Sequence, residues 1–165
     1  MIVRLAESGD LDRIVRRARE RLAHDAARND LVNPTFNEEH FALALAHAAD
    51  MTWVAEDNGV IIGHLYGALL ESPEYGKGAW VGPDGVSFDS PEVLDALYAE
   101  AGSSWIAHDA VEHYAWVFDD PSDTSPWYEL GFARMHARGV IALETPRAVN
   151  CAISTRRKKP TSMSG

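Results

Sequence analysis

Pro126-Trp127-Tyr128-Glu129-Leu130-Gly131-Phe132 runs straight into Ala133-Arg134-Met135-His136-Ala137-Arg138-Gly139-Val140-Ile141-Ala142-Leu143, and this stretch decides the fold. Its first part reads as a short amphipathic helix and the remainder as a long strand. Gly131 suits the left-handed backbone position just past a helix end. Pro126 suits the first helical position, with Ser125 or Thr124 as cap. From Phe132 the pattern alternates, with Phe132, Arg134, His136 and Arg138 on one face and Ala133, Met135 and Ala137 on the other.

Upstream, Ile2, Val3 and Leu5 suggest a first strand. Helix one spans about 10–27, with Asp10 as cap, a stripe of Leu11, Ile14, Val15, Ala18 and Leu22, and Arg13, Arg16, Arg17 and Arg21 outside. Those arginines read as a solvated face paired with nearby acids rather than a docking patch. Thr35-Phe36-Asn37-Glu38 has capping-box spacing ahead of Phe41, Leu45 and Ala48 in helix two. His40 and His47 lie two turns apart, read as surface histidines rather than metal ligands. Strands at 51–56 and 60–70 are joined by Asp57-Asn58-Gly59, a strong hairpin signal. A strand at 79–88 is interrupted by Gly82-Pro83-Asp84-Gly85. A helix follows at 91–101 behind Ser90, continuing unevenly through Trp105-Ile106, then a strand at 114–118.

The chain has 165 residues, 46% of them apolar, enough for one domain with a full core. No apolar run reaches membrane-spanning length, and the start enters a charged helix at once, unlike a secretory signal. The lone Cys151 allows no internal disulfide and fits a reducing cytoplasm. Net charge is −10; the five Arg/Lys of 147–165 leave ten bases against twenty-five acids, or −15, on 1–146. Between 29 and 133, Lys77 is the one basic residue against nineteen acids. Such a surface repels nucleic acid and anionic membrane and attracts cations, amines included. The domain is read as 1–144, and 145–165 as a basic flexible tail that solubilises the chain or is the remnant of a longer one.

The Leu130-Gly131-Phe132 turn between helix and strand resembles the C-terminal motif of the GCN5-related N-acetyltransferase (GNAT) superfamily. The order of strand, two helices, antiparallel strands, helix, strand, helix, strand over 1–143 is similar to that family's. The resemblance implies an α+β fold with a mixed, mostly antiparallel central sheet flanked by helices. It also implies acyl transfer from acetyl-CoA to an amine, without a metal. By the same resemblance, coenzyme lies where Phe88, Ser90 and Val93 stand, after the strand ending near Phe88. Active members carry Arg/Gln-x-x-Gly-x-Gly/Ala there, because small residues and a helix N-terminus let backbone N–H groups approach a pyrophosphate.

Here that stretch is Asp89-Ser90-Pro91-Glu92-Val93-Leu94-Asp95-Ala96, with no glycine and no arginine. Pro91 removes a donor, Ser90 is expected to occupy another as cap, and Asp89, Glu92 and Asp95 oppose an anion. The same acids would stabilise the start of a structural helix by roughly 0.3–1 kcal/mol each. The family's leaving-group acid, a tyrosine four residues before the turn glycine, is replaced by Trp127. Tyr128 is the adjacent substitute acid, and both aromatics could simply pack beneath the last strand. For a base, the resemblance directs attention to Glu71 and Glu74, His64 and Asp119. His108, Asp109 and His113 lack a partner cluster for metal.

Two functions follow from these residues. One is an enzyme that transfers an acyl group to a small cationic amine in an acidic cleft. The other is a catalytically impaired domain of the same fold that binds a ligand or partner. The exposed face of the final strand could pair with a second copy as a homodimer.

Overall fold

The computed structural model describes residues 1–28, 32, 35–73, 76–118 and 120–134. Glu74, Asp119, Cys151, the basic tail and all of the expected final strand beyond 134 lie outside them. The described elements, in order, are β1 (Ile2–Leu5), α1 (Leu11–Arg28), α2 (Glu38–His47), β2 (Thr52–Asp57), β3 (Val60–Tyr66), β4 (Ala68–Ser72), β5 (Gly76–Val81), β6 (Val86–Phe88), α3 (Pro91–Ala107), β7 (Glu112–Ala115) and α4 (Pro121–Glu129).

Strands β1-β2-β3-β6 form an antiparallel sheet; β4-β5-β7 form a second, in which β5 and β7 are parallel. This is the mostly antiparallel α+β architecture expected from the sequence. The β2–β3 hairpin turns at Asn58 and Gly59, both at positive φ (50° and 82°), so its Asn-Gly signal is realised. The expected single strand at 60–70 instead breaks at Gly67. A Cβ there would lie 2.4 Å from Trp105 Cζ2, so only glycine lets α3 press its indole against the sheet. The Gly82-Pro83-Asp84-Gly85 turn breaks the next strand as anticipated, separating β5 from β6.

Each face carries its own core. Trp53, Leu65, Val93, Leu94, Leu97, Trp105 and Trp127 pack on the α3 face. Ile14, Ala18, Phe41, Leu45, Val54 and Ile61 pack on the face covered by α1 and α2. Trp105 is fully buried, edge-on to Trp53 and within 5.1 Å of the His113 ring, measured between ring centroids. Aromatic pairs of this kind add about 0.5–1.5 kcal/mol beyond area burial.

Three helix starts differ from expectation. Asp10 closes a 3-10 turn (Ser8–Asp10) before α1, its carboxylate accepting the Glu7 N–H at 2.9 Å and an ion pair from Arg4. That contact holds the Asp10 carboxyl below the usual range. Asn37, not Thr35, caps α2, accepting the His40 N–H at 3.0 Å. The last helix begins at Pro121 behind Asp120, which accepts the Ser122 N–H at 2.9 Å, and Pro126 lies inside it. Asp120-Pro121 offers the same cap-and-proline signature as Ser125-Pro126, five residues earlier, and Asp120 is held in addition by Arg28 of α1. At the other end the expectation holds: Gly131 (φ 94°) donates to Tyr128 O and Phe132 to Trp127 O, and the Trp127 and Phe132 rings meet at 4.9 Å. Helix α3 runs six residues past 101, to Ala107, and β7 starts two residues before the expected Tyr114.

Candidate functional site

Strands β5 and β7 run parallel until Val81 and Ala115, and one further bond, from Trp116 N–H to Val81 O at 2.9 Å, closes the ladder. Beyond it β5 turns through 82–85 onto β3, because Tyr66 N–H donates to Gly85 O at 2.7 Å. A Cβ at residue 85 would stand 2.7 Å from Tyr66 O, so glycine is required for that approach. Beyond Trp116 no backbone bond among the described residues joins the segment after β7 to the turn at 82–85, so the ladder ends there, with Pro83 and Asp84 on one lip and Phe118 on the other.

At those lips lies a cavity of about 310 Å³. Helix α1 contributes Ala18, Leu22 and Asp25; the entry and first turn of α2 contribute Thr35, Phe36, Asn37, His40 and Phe41. Pro83, Asp84 and Phe118 complete the wall. The site thus combines an apolar, aromatic lining with carboxylates and one imidazole.

The arginines of α1 decide which of those carboxylates are engaged. Arg21 Nε donates to both oxygens of buried Asp25, at 3.0 and 3.1 Å, and its Nη2 to buried Asp123 at 2.5 Å. Arg28 pairs with Asp120 and approaches Asp123 at 3.6 Å, so α1 is tied to the start of α4. Arg17 donates to Ile61 O, Ile62 O, Ser87 Oγ and Asp89. The expected pairing with acids holds for Arg17 and Arg21, which are half-buried rather than solvated, whereas Arg13 donates to Gly59 O. Asp84, exposed on the lip, has no ion-pair partner among the described residues.

Beneath the lip, fully buried His64 donates from Nε2 to Asp84 O at 3.2 Å, leaving Nδ1 without a partner among the described residues. Burial lowers its pKa to about 4, so the ring is neutral and steadies the turn. His64 is not part of the cavity wall.

The start of α3 is arranged differently. The Ser90 hydroxyl makes no cap bond; it goes instead to the Glu92 carboxylate, which also receives its own backbone N–H and is held below the usual range by both. The expected Ser90 cap is thus corrected: the carboxylate two residues on, with its stronger acceptor oxygens, takes the hydroxyl. Val93 N–H is spent on Ser90 O at 3.0 Å, and Pro91 has none. Asp89 turns to Arg17 at 2.6 Å. The first turn thus has its amides engaged and carries the Glu92 carboxylate, with Asp89 just ahead of it.

The remaining sequence candidates are dispersed. Phe88 is half-buried at the end of β6, and Val93 is buried in the α3 core. Glu71 is exposed on β4, opposite Lys77 in register. Tyr128 is 45% exposed on α4, while Trp127 is buried among Tyr98 and Phe132. Neither Tyr128 nor Glu71 reaches the cavity wall. His113 accepts from Tyr98 Oη at 2.8 Å and bonds Ala110 O, and His108 bonds Ser104 O. Among the described residues no group of three His, Cys, Asp or Glu could hold a metal, and no helix is long and apolar enough to cross a membrane. Sequence reasoning missed Asp25, Asp84 and Phe118; His40, expected at the surface, is exposed and also lies on the cavity wall.

No family model matches the chain, and no curated protein matches it. Solved structures do. A tetramutant of the BH1408 protein from Bacillus halodurans is similar at TM-score 0.68 and 19% identity, covering 87% of this chain and 100% of that one. A predicted acetyltransferase from Clostridium acetobutylicum, solved with acetyl-CoA, is similar at TM-score 0.65 and 13% identity over 86% of this chain and 96% of its own. A GCN5-related N-acetyltransferase from Ralstonia eutropha JMP134 gives TM-score 0.65 and 15% identity, covering 86% and 97%. The chain has the GNAT fold.

Proposed function

We propose that the protein transfers an acyl group from a thioester such as acetyl-CoA to a cationic amine, in a reducing cytoplasm. The observation that carries this reading is the end of the β5–β7 ladder with an acid-bearing cavity at its lips. A thioester arm laid between those lips would present its carbonyl to an amine held in the cavity. The amine, once deprotonated, attacks the carbonyl carbon, and the C–S bond breaks to release a thiolate that takes up a proton. His40 is the imidazole on the cavity wall, and so the residue we assign to accept the ammonium proton. Tyr128 remains the nearest hydroxyl to the motif position for returning a proton to sulfur.

A second reading, amine binding without turnover, draws support from the filled start of α3. Mass spectrometry of an amine panel incubated with protein and acetyl-CoA separates the two. Acylated product above the uncatalysed background is expected. Binding of amine with no product from any thioester would establish the second reading.

A further inference from the structure

We propose that the amine taken by the cavity carries a single positive charge on an aromatic or apolar body, with Asp84 facing its ammonium and Phe36, Phe41 and Phe118 enclosing its body. This rests on reading the cavity as the acceptor site.

Charge sets the first limit. Two carboxylates reach the wall, but Asp25 has both oxygens occupied by Arg21, which also pairs with Asp123 behind it. Asp84 is exposed, with no ion-pair partner among the described residues. Among the described residues of the lining, Asp84 is thus the carboxylate without an ion-pair partner, and it matches one ammonium.

The rest of the wall sets the second. Ala18, Leu22, Phe36, Phe41, Pro83 and Phe118 supply no polar side-chain atom, and the Phe36 and Phe41 rings stand tilted at 5.3 Å. The polar groups Thr35, Asn37 and His40 are confined to the entry and first turn of α2, where Asn37 Oδ1 already holds the His40 N–H. Against the apolar side a second ammonium, or the hydroxyls of a sugar, would lose water without a replacement partner. A ring gains from the same wall through burial and edge contacts. Size agrees: 310 Å³ is at the small end of ligand pockets, which run from roughly 300 to 1,000 Å³, and suits a one-ring amine.

Isothermal titration of the whole protein without coenzyme tests this, using 2-phenylethylamine, spermidine and 2-phenylethanol. The monoamine is expected to bind at least about tenfold tighter than either comparator. Asp84→Asn should weaken the monoamine about tenfold and leave the alcohol unchanged, and Phe118→Ala should weaken both. Spermidine binding as tightly, the alcohol matching the amine, or no binding by the monoamine would each overturn the proposal. The comparison of ligands on the unaltered protein decides the matter even where a variant fails to fold. Because no coenzyme is present, a protein that never turns over can still meet these expectations. Transfer to other amines alone would refute the ligand class and leave acyl transfer standing.

Discussion

The cavity beneath α1 and α2 and the start of α3 are both rich in acid, yet they use it in opposite ways. At the cavity, arginines from α1 pair with the buried carboxylates Asp25 and Asp123, and Asp84 stays open on the lip. At α3, Glu92 folds back on its own amide and Asp89 turns to Arg17, so the acids close the place they occupy. One region keeps a charge available for a cation; the other spends its donors before an anion can arrive. Where a carboxylate finds its partner, rather than how many there are, separates the two.

The largest effect should come from the buried half of this contrast. Arg21→Met leaves Asp25 and Asp123 buried with a lost partner, and urea denaturation should show roughly 3–5 kcal/mol of lost stability. Asp89→Asn, which breaks an ion pair whose acid is 57% exposed, should cost under about 1 kcal/mol in the same measurement. Equal losses would erase the distinction.

His64 gives a pH dependence of known sign. Its folded pKa of about 4 is below the unfolded value of 6.5, so between these the unfolded chain binds the extra proton. Stability should therefore fall as pH drops from about 6.5 to 4, by roughly 3 kcal/mol in all. His64→Gln should flatten that slope in pH-resolved denaturation. Asp10, depressed by Arg4, acts in a separate window: its contribution is present above its unfolded value of 3.8 and lost as pH falls below it.

A smaller effect is expected where α3 begins. Asp89→Asn with Glu92→Gly removes two charges and frees an amide, and acetyl-CoA binding should tighten by roughly tenfold. Unchanged affinity in a titration would mean that these side chains do not control the anion site.

What was legible in the sequence was set by backbone geometry at single residues. Asn58-Gly59, Gly131 and Pro91 each demand or permit one dihedral state, and each is found in it or at the expected boundary. Where two segments carried the same signature the choice needed tertiary contact. Asp120-Pro121 prevailed over Ser125-Pro126 as Arg28 reached Asp120 from α1. The break at Gly67 required Trp105, thirty-eight residues away, to be known as its partner. The cavity was invisible for the same reason: its wall is drawn from α1, the start of α2, the 83–84 lip and Phe118, with no local pattern joining them. His40 became a site residue only when α2 was laid over that gap.

The most direct trial compares two donors with one amine acceptor: acetyl-CoA and S-acetyl-pantetheine, which lacks the diphosphate. With α3 closed to phosphate, kcat/KM for the shorter thioester should equal or exceed that for acetyl-CoA. A preference of about a hundredfold for acetyl-CoA, equivalent to roughly 2.7 kcal/mol of binding to its nucleotide half, would contradict it, as would transfer from neither donor.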